Sequence, residues 1–251
     1  MKTDFMPRHR QAPGEFNDGE ILEYRPVIPD HNIGGFKSYT NLFYWAHAWS
    51  DEGSTIGLHP HKGFEIMSYV VKGSLEHYDT LLKKWIPLTE GSVQIIRSGN
   101  GVSHSEKINR GSRMFQIWFD PGLEQSLRKK ASYDDFAPEK FKISEASGVR
   151  KKIIRGDGSP LQMDSPNRIE EWWFGGASLK VEIPQGWVLS YFQITGETKI
   201  NDTVLEEGDF VKISDATNAS FEVLNSAGEF SHRAFLIWTP AKLSYRTYFQ
   251  L

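Results

Sequence analysis

Two short histidine patterns carry the chemistry of this sequence. His59-Pro60-His61 sets two imidazoles two residues apart, and His104-Ser105-Glu106 sets an imidazole and a carboxylate at the same spacing. Residues two apart on an extended strand project from one face, so each pattern is a two-pronged donor set. A chain that folds back between them closes both sets around one cation. Three neutral imidazoles and one carboxylate suit a divalent transition metal such as iron, nickel, copper, manganese, cobalt or zinc. Glu65 shares the strand parity of His59 and His61, and it reads either as a support for a ligand or as a solvated strand residue.

The remaining candidates have plainer readings. His77 and Asp79 are expected to satisfy each other at the end of a strand, and His47, set among aromatics, to be a core histidine. His9, His31 and His232 are expected at the surface, with Lys72, Lys83 and Lys84 facing solvent. Trp45, Phe64 and Trp118 could wall an apolar pocket above the metal, although strand aromatics are core by default. Ser98-Gly99-Asn100-Gly101 lacks the Lys-Ser/Thr ending of a phosphate loop, with no helix to follow, so it reads as a turn that sets His104. There is no Gly-x-Ser-x-Gly elbow, which disfavours a hydrolase of that design.

Many short strands must position these residues. Apolar runs at Phe64–Val71, Leu75–Tyr78, Val93–Ile96, His104–Ile108 and Met114–Phe119 are mostly bounded by turn signals such as Lys72-Gly73 and Glu90-Gly91. Tyr39–Trp49 reads as a strand or a buried wall, and residues 1–35 as an irregular arm with one short strand at Ile21–Tyr24. Leu123–Lys130 is the one helix of any length expected. Strand signals resume at Lys151–Ile154, Ser178–Ile183, Val188–Ile194, Phe210–Ile213, Ser220–Leu224 and Ala234–Trp238. Three matches recur in order: Gly73 with Gly196, Glu90-Gly91 with Glu207-Gly208, and Phe115–Trp118 with Phe235–Trp238. They predict two copies of one β domain, residues 1–135 with the metal site and residues 136–251 without it.

Bulk properties narrow the function classes. The 29 basic and 32 acidic residues of this 251-residue chain give a net charge of −3, without the basic excess of a nucleic-acid binder. No apolar run approaches the roughly 18 residues of a membrane span, and the N-terminus shows no apolar signal core. Cysteine is absent, which removes thiolate ligands, thiol nucleophiles and disulfides and suits a reducing, cytoplasmic setting.

The motifs resemble the cupin superfamily, through Gly53-x5-His59-x-His61-x3-Glu65 and the closing Gly101-x2-His104. The fuller strings, His59-Pro-His61-Lys-Gly-Phe-Glu65, Glu76-His77-Tyr-Asp79 and Gly99-Asn-Gly-Val-Ser-His104-Ser-Glu106, resemble the pirin family, whose members are bicupins. The resemblance is strong in the first half and general in the second. It implies an all-β fold of two tandem jelly-roll barrels joined by a short helical or irregular linker. It also implies one metal, commonly Fe(II), held by His59, His61, His104 and Glu106. The implied activity is quercetin 2,3-dioxygenase-like cleavage of a flavonol with dioxygen and loss of carbon monoxide, with Glu106 as the general base. Pirin-like proteins also serve as redox-dependent partners of transcription factors, and that is the alternative role. The sequence departs from the family pattern at Lys62, usually Arg, and at Thr89-Glu90-Gly91-Ser92, usually a Pro-Gly-Asp turn.

Overall fold

The structure, a computed structural model, describes all 251 residues except Asp30, Ala177, Ser226, Ala227 and Glu229. The side chain of His31 also lies outside the described residues, and with it the surface position expected for that histidine. The chain is all-β with little helix and forms two compact units that are not contiguous in sequence. The site-bearing unit comprises Gln11–Lys140, Met163–Ser165 and Ser244–Leu251. The second unit comprises Met1–Arg10, Phe141–Gln162 and Pro166–Leu243.

Each unit pairs a large sheet with a small one. In the site-bearing unit the large sheet runs in the order Ser132–Phe136, Val93–Arg97, Glu65–Lys72, Ser112–Phe119, Leu42–Ser50, Ile21–Ile28, Ala12–Phe16. Its small sheet runs Ser54–His61, Val102–Ile108, Ser74–Asp79, Trp85–Thr89. All neighbours pair antiparallel except the two-residue Phe36–Lys37, which pairs parallel with Ile21–Ile28. The strands follow from alternation: in Ser74–Asp79 every second residue is buried, which is the period of a half-covered strand.

The second unit repeats this plan strand for strand. Its large sheet runs Lys2–Met6, Phe210–Ser214, Trp187–Thr195, His232–Pro240, Arg168–Phe174, Val149–Arg155, Lys142–Ala146, and its small sheet Leu179–Glu182, Asn218–Leu224, Glu197–Ile200, Thr203–Leu205. The strand Lys2–Met6 thus holds the edge place that Ser132–Phe136 holds in the other unit. The barrels differ in what fills them. In the second unit Val181, Ile183, Ile200, Leu205 and Phe221 of the small sheet and its turns pack against Trp172, Leu189, Tyr191 and Leu236 of the large one. Phe221, register partner of Leu179 and Ile200, stands where His104 stands between His59 and Asp79.

Two expectations are corrected. Residues 1–35 are not an irregular arm: Lys2–Met6, Ala12–Phe16 and Ile21–Ile28 are all strands, the first two fixed by cross-strand partners distant in sequence or by a tight hairpin rather than by alternation. The α-helix spans only Leu123–Ser126. No side chain caps its N-terminus, and the carbonyl of Lys129 is taken by the backbone N–H of Asn100, so the chain turns away before a longer helix can form.

Candidate metal centre

The small sheet of the site-bearing unit builds the centre. His59 and His61 lie on Ser54–His61, and His104 lies on the neighbouring Val102–Ile108 directly opposite His59. The register slips between His104 and Glu106: Ser105 alone faces Gly57 and Leu58 together, so Ser54–His61 carries one extra residue. Bulges of this kind re-aim side chains beside sites. Here the bulge brings the Gly57 carbonyl to 2.8 Å from His59 Nδ1. That carbonyl fixes the tautomer with the proton on Nδ1 and leaves Nε2 free to coordinate.

The three imidazoles converge. Ring centroids are 4.8 Å apart for His59–His61, 4.4 Å for His59–His104 and 4.8 Å for His61–His104, and one ligand atom from each lies within 4.8 Å of the others. His61 Nε2 and both ring nitrogens of His104 are buried without a hydrogen-bond partner. Leaving buried polar nitrogens unpaired is costly, and a cation is a natural partner for one nitrogen from each of the three rings. Burial, with His104 and His59 nearby, lowers the pKa of His61 to about 3. Burial, with His59 and His77 nearby, lowers that of His104 to about 3 as well. Both are therefore neutral at pH 7 with lone pairs available for a metal. The donor set fits a divalent transition metal.

Glu106 is buried beside this triad, its Oε1 3.9 Å from His104 Nδ1. Gln116 Nε2 donates to both carboxylate oxygens at 2.7 and 2.6 Å, and Ser68 Oγ donates to Oε1 at 3.2 Å. Trp118 Nε1 in turn donates to Gln116 Oε1, and the indole stands edge-on to the His61 ring at 4.7 Å. Phe64 and Phe43 continue this apolar wall. Trp45, the third aromatic expected there, does not join it: its partner in register is Ile117, which puts it on the face opposite Gln116 and Trp118.

Other candidates fall into place nearby. His77 Nε2 and Asp79 Oδ2 are 2.9 Å apart, and Asp79 Oδ1 accepts the backbone N–H groups of Leu81 and Leu82. His47 is buried between Trp49 and Phe115. His9, Lys72, Lys83 and Lys84 are exposed. His232 is not at the surface as expected. It is buried, Nε2 donates to the Leu224 carbonyl at 2.6 Å, and it lies directly beneath Gly196. Glu65 matches neither of its readings. It is buried with a raised pKa, caused first by burial, and it accepts the N–H groups of Asp164 and Ser165 and the Ser165 hydroxyl. Its role is to clasp the segment Met163–Ser165 onto this unit, a contact between residues about 100 positions apart that no local pattern announces.

Residues 36–119 match the family model described as Pirin, a stretch that includes His59, His61, His104 and Glu106. The chain is 27% identical over 194 residues to Pirin-1 of Arabidopsis thaliana, covering 68% of this chain and 66% of that protein. It is 40% identical over 76 residues to quercetin 2,3-dioxygenase of Escherichia coli K12, covering 28% of this chain and 32% of that one. The chain spans between 45% and 66% of the length of the curated Arabidopsis relatives it matches. A bacterial pirin from Escherichia coli, crystallised in complex with nickel(II), superposes with a TM-score of 0.77 at 19% identity, covering 96% of this chain and 100% of that one. At that identity the likeness establishes the fold.

Proposed function

We propose that the chain is a member of the pirin family of the cupin superfamily and a metal-dependent dioxygenase that cleaves a flavonol or a similar enol-type substrate. The observation that carries this reading is the convergence of His59, His61 and His104 with unpaired buried ring nitrogens beside a buried carboxylate. Kinship with proteins named quercetin 2,3-dioxygenase supports the choice of reaction.

His59, His61 and His104 hold the metal, with Glu106 as the fourth protein ligand, and Fe(II) is the ion we favour. Bound there, such an ion supplies Lewis acidity toward an enol oxygen and, being redox-active, access to dioxygen chemistry. The protein's own groups do the rest. Glu106 takes the proton of the substrate's enol hydroxyl, since its carboxylate lies at the edge of the triad. The Gln116 amide and Ser68 hydroxyl hold that carboxylate in place, so its orientation is set before substrate arrives. Trp118 and Phe64 give the flat face of an aromatic substrate an apolar wall beside His61 and keep water from that side.

The test begins with elemental analysis of freshly purified protein beside His104→Ala. About one equivalent of iron, or of nickel, copper, manganese or cobalt, is expected in the wild type and little in the variant. Metal-loaded protein prepared without oxygen and then mixed with quercetin and oxygen should consume oxygen. A protein with no metal, or with zinc that survives His104→Ala, overturns the site. A fully loaded protein that consumes no oxygen, beside a working control enzyme, overturns the reaction.

A further inference from the structure

Inside the site-bearing barrel the inward side chains form three layers. Trp118, Gln116 and Met114 alternate along Ser112–Phe119, facing Ile66, Ser68 and Val70 on Glu65–Lys72. Ile66 and Ser68 are in turn opposite Ile96 and Gln94 on Val93–Arg97. Partners in register share a face of the sheet. Because Ser68 and Gln116 both reach Glu106, this face looks into the barrel, and Gln94 looks the same way. The first layer is apolar, Ile66 and Ile96 packing with Val102, Phe64 and Trp118. The third is apolar too, Val70 and Met114 packing with Leu75, Leu88 and Ile108. Between them lies one polar row, Gln116–Ser68–Gln94.

Two members of that row are accounted for by Glu106. Gln94 is not. It is 1% exposed, and neither its amide oxygen nor its amide nitrogen has a hydrogen-bond partner. A primary amide sealed between apolar layers with donor and acceptor both idle lowers stability, since each group loses water and gains nothing. Along one edge a primary amide presents an N–H donor and a carbonyl acceptor side by side, its second N–H pointing away from them. Its complement is a ligand that presents a carbonyl beside a hydroxyl, as oxygenated enols and flavonols do.

We propose that Gln94 is a substrate-positioning residue, its amide hydrogen-bonding the substrate's carbonyl and a second hydroxyl beside it, not the enol hydroxyl whose proton Glu106 takes, and so setting how that substrate lies against Glu106. The assignment rests on the flavonol reading above. It explains why a polar side chain stands in a row that could have been closed with leucine, and it makes Gln94 a determinant of specificity. A site built to satisfy such oxygens rejects analogues that lack them, because the amide is then left unpaired.

The test is anaerobic titration of metal-loaded protein with quercetin, read by fluorescence, for the wild type, Gln94→Met and Gln94→Asn, with thermal melts of each ligand-free protein. Methionine keeps the length and removes both hydrogen-bonding groups, while asparagine keeps the amide but withdraws it. We expect Gln94→Met to weaken quercetin binding about tenfold or more and Gln94→Asn to weaken it less. The Tm of Gln94→Met should hold or rise by about 2–4 °C, since an unpaired buried amide is gone. In turnover, KM should rise more than kcat falls. Unchanged affinity in both variants overturns the proposal while leaving the flavonol reading intact. A lowered Tm in Gln94→Met marks the amide as structural and also overturns it. A wild type that holds metal but does not bind quercetin overturns the flavonol reading, and the assignment with it.

Discussion

His104 concentrates the tension of this site in one side chain. It is fully buried, neither ring nitrogen has a hydrogen-bond partner, and three other imidazoles, those of His59, His61 and His77, crowd it. Without metal, a proton on that ring would be both unsolvated and repelled, which is why its pKa falls to about 3. The consequence for stability has a definite sign. The folded pKa lies below the ordinary value near 6.5, so as pH drops the unfolded chain takes up the proton first. Stability is therefore full above about pH 6.5 and declines from there toward pH 3. Between pH 7.5 and 5.0 His104 alone should cost metal-free protein about 2 kcal/mol. Urea denaturation at those two pH values checks this, and His104→Ala should flatten the dependence by that amount. Saturating metal should hold stability up at pH 7.5 and lose its benefit at pH 5.0 as protons compete for the imidazoles. An unaltered slope in His104→Ala would show that this ring is not the group responsible.

Single side chains end up in register only because the elements beneath them are fixed, and the turn at Gly73 is one such fixing point. It joins Glu65–Lys72, which carries Ser68, to Ser74–Asp79, which carries His77, and so passes from one sheet to the other. Gly73 has φ +77°, and a Cβ there would sit 2.3 Å from Ser112 Oγ and 3.1 Å from Ser112 Cα. That hydroxyl accepts the backbone N–H of Ser74 at 2.9 Å, so it cannot yield without losing a bond. Gly111 has a similar φ of +69° but open space around it. Gly111→Ala should then cost about 1 kcal/mol of backbone strain, and Gly73→Ala about 2–3 kcal/mol from strain plus collision. Equal costs in urea denaturation would show that the Ser112 contact does not matter. Gly73 was legible in the sequence, as a turn signal between two apolar runs and as the first of the repeated matches. So was the histidine triad, because side chains two apart on a strand share a face and leave a period-two signature. The Ser54–His61 bulge, the clasp of Glu65 and the polar row through Gln94 were not. Each depends on which strand lies beside which, and that is decided by pairings over long sequence distances. His232 shows the same limit, since a lone histidine between a serine and an arginine looks exposed until the glycine above it is known.

At the scale of the molecule, the repeat seen in the sequence reappears as two sheets of the same strand order, yet the two units are assembled from interleaved pieces of chain. The edge strand that Ser132–Phe136 provides to its own unit is provided to the second unit by Lys2–Met6, from the far end of the sequence. No period or composition could announce that exchange; five residue pairs with Phe210–Ser214 define it. Met6 is buried, Phe5 packs against the second unit's core, and the Arg8 backbone N–H donates to Asp209 Oδ1 at 2.8 Å. Asp4 adds an ion pair with Lys212 at 3.0 Å. Deleting residues 1–10 should therefore destabilise the second unit by roughly 3–5 kcal/mol, chiefly the lost burial of Met6 and Phe5. It would also bare the edge Phe210–Ser214, a strand with three wholly buried apolar side chains, Phe210, Val211 and Ile213. Such an edge invites pairing with another chain. The expected result is an earlier urea transition and concentration-dependent association in size-exclusion chromatography. Metal content should stay near that of the intact protein, because His59, His61, His104 and Glu106 all belong to the other unit. A monomeric, equally stable deletion would show that the second unit does not need this strand. Loss of metal together with loss of the strand would show that the two units do not keep their stabilities separate.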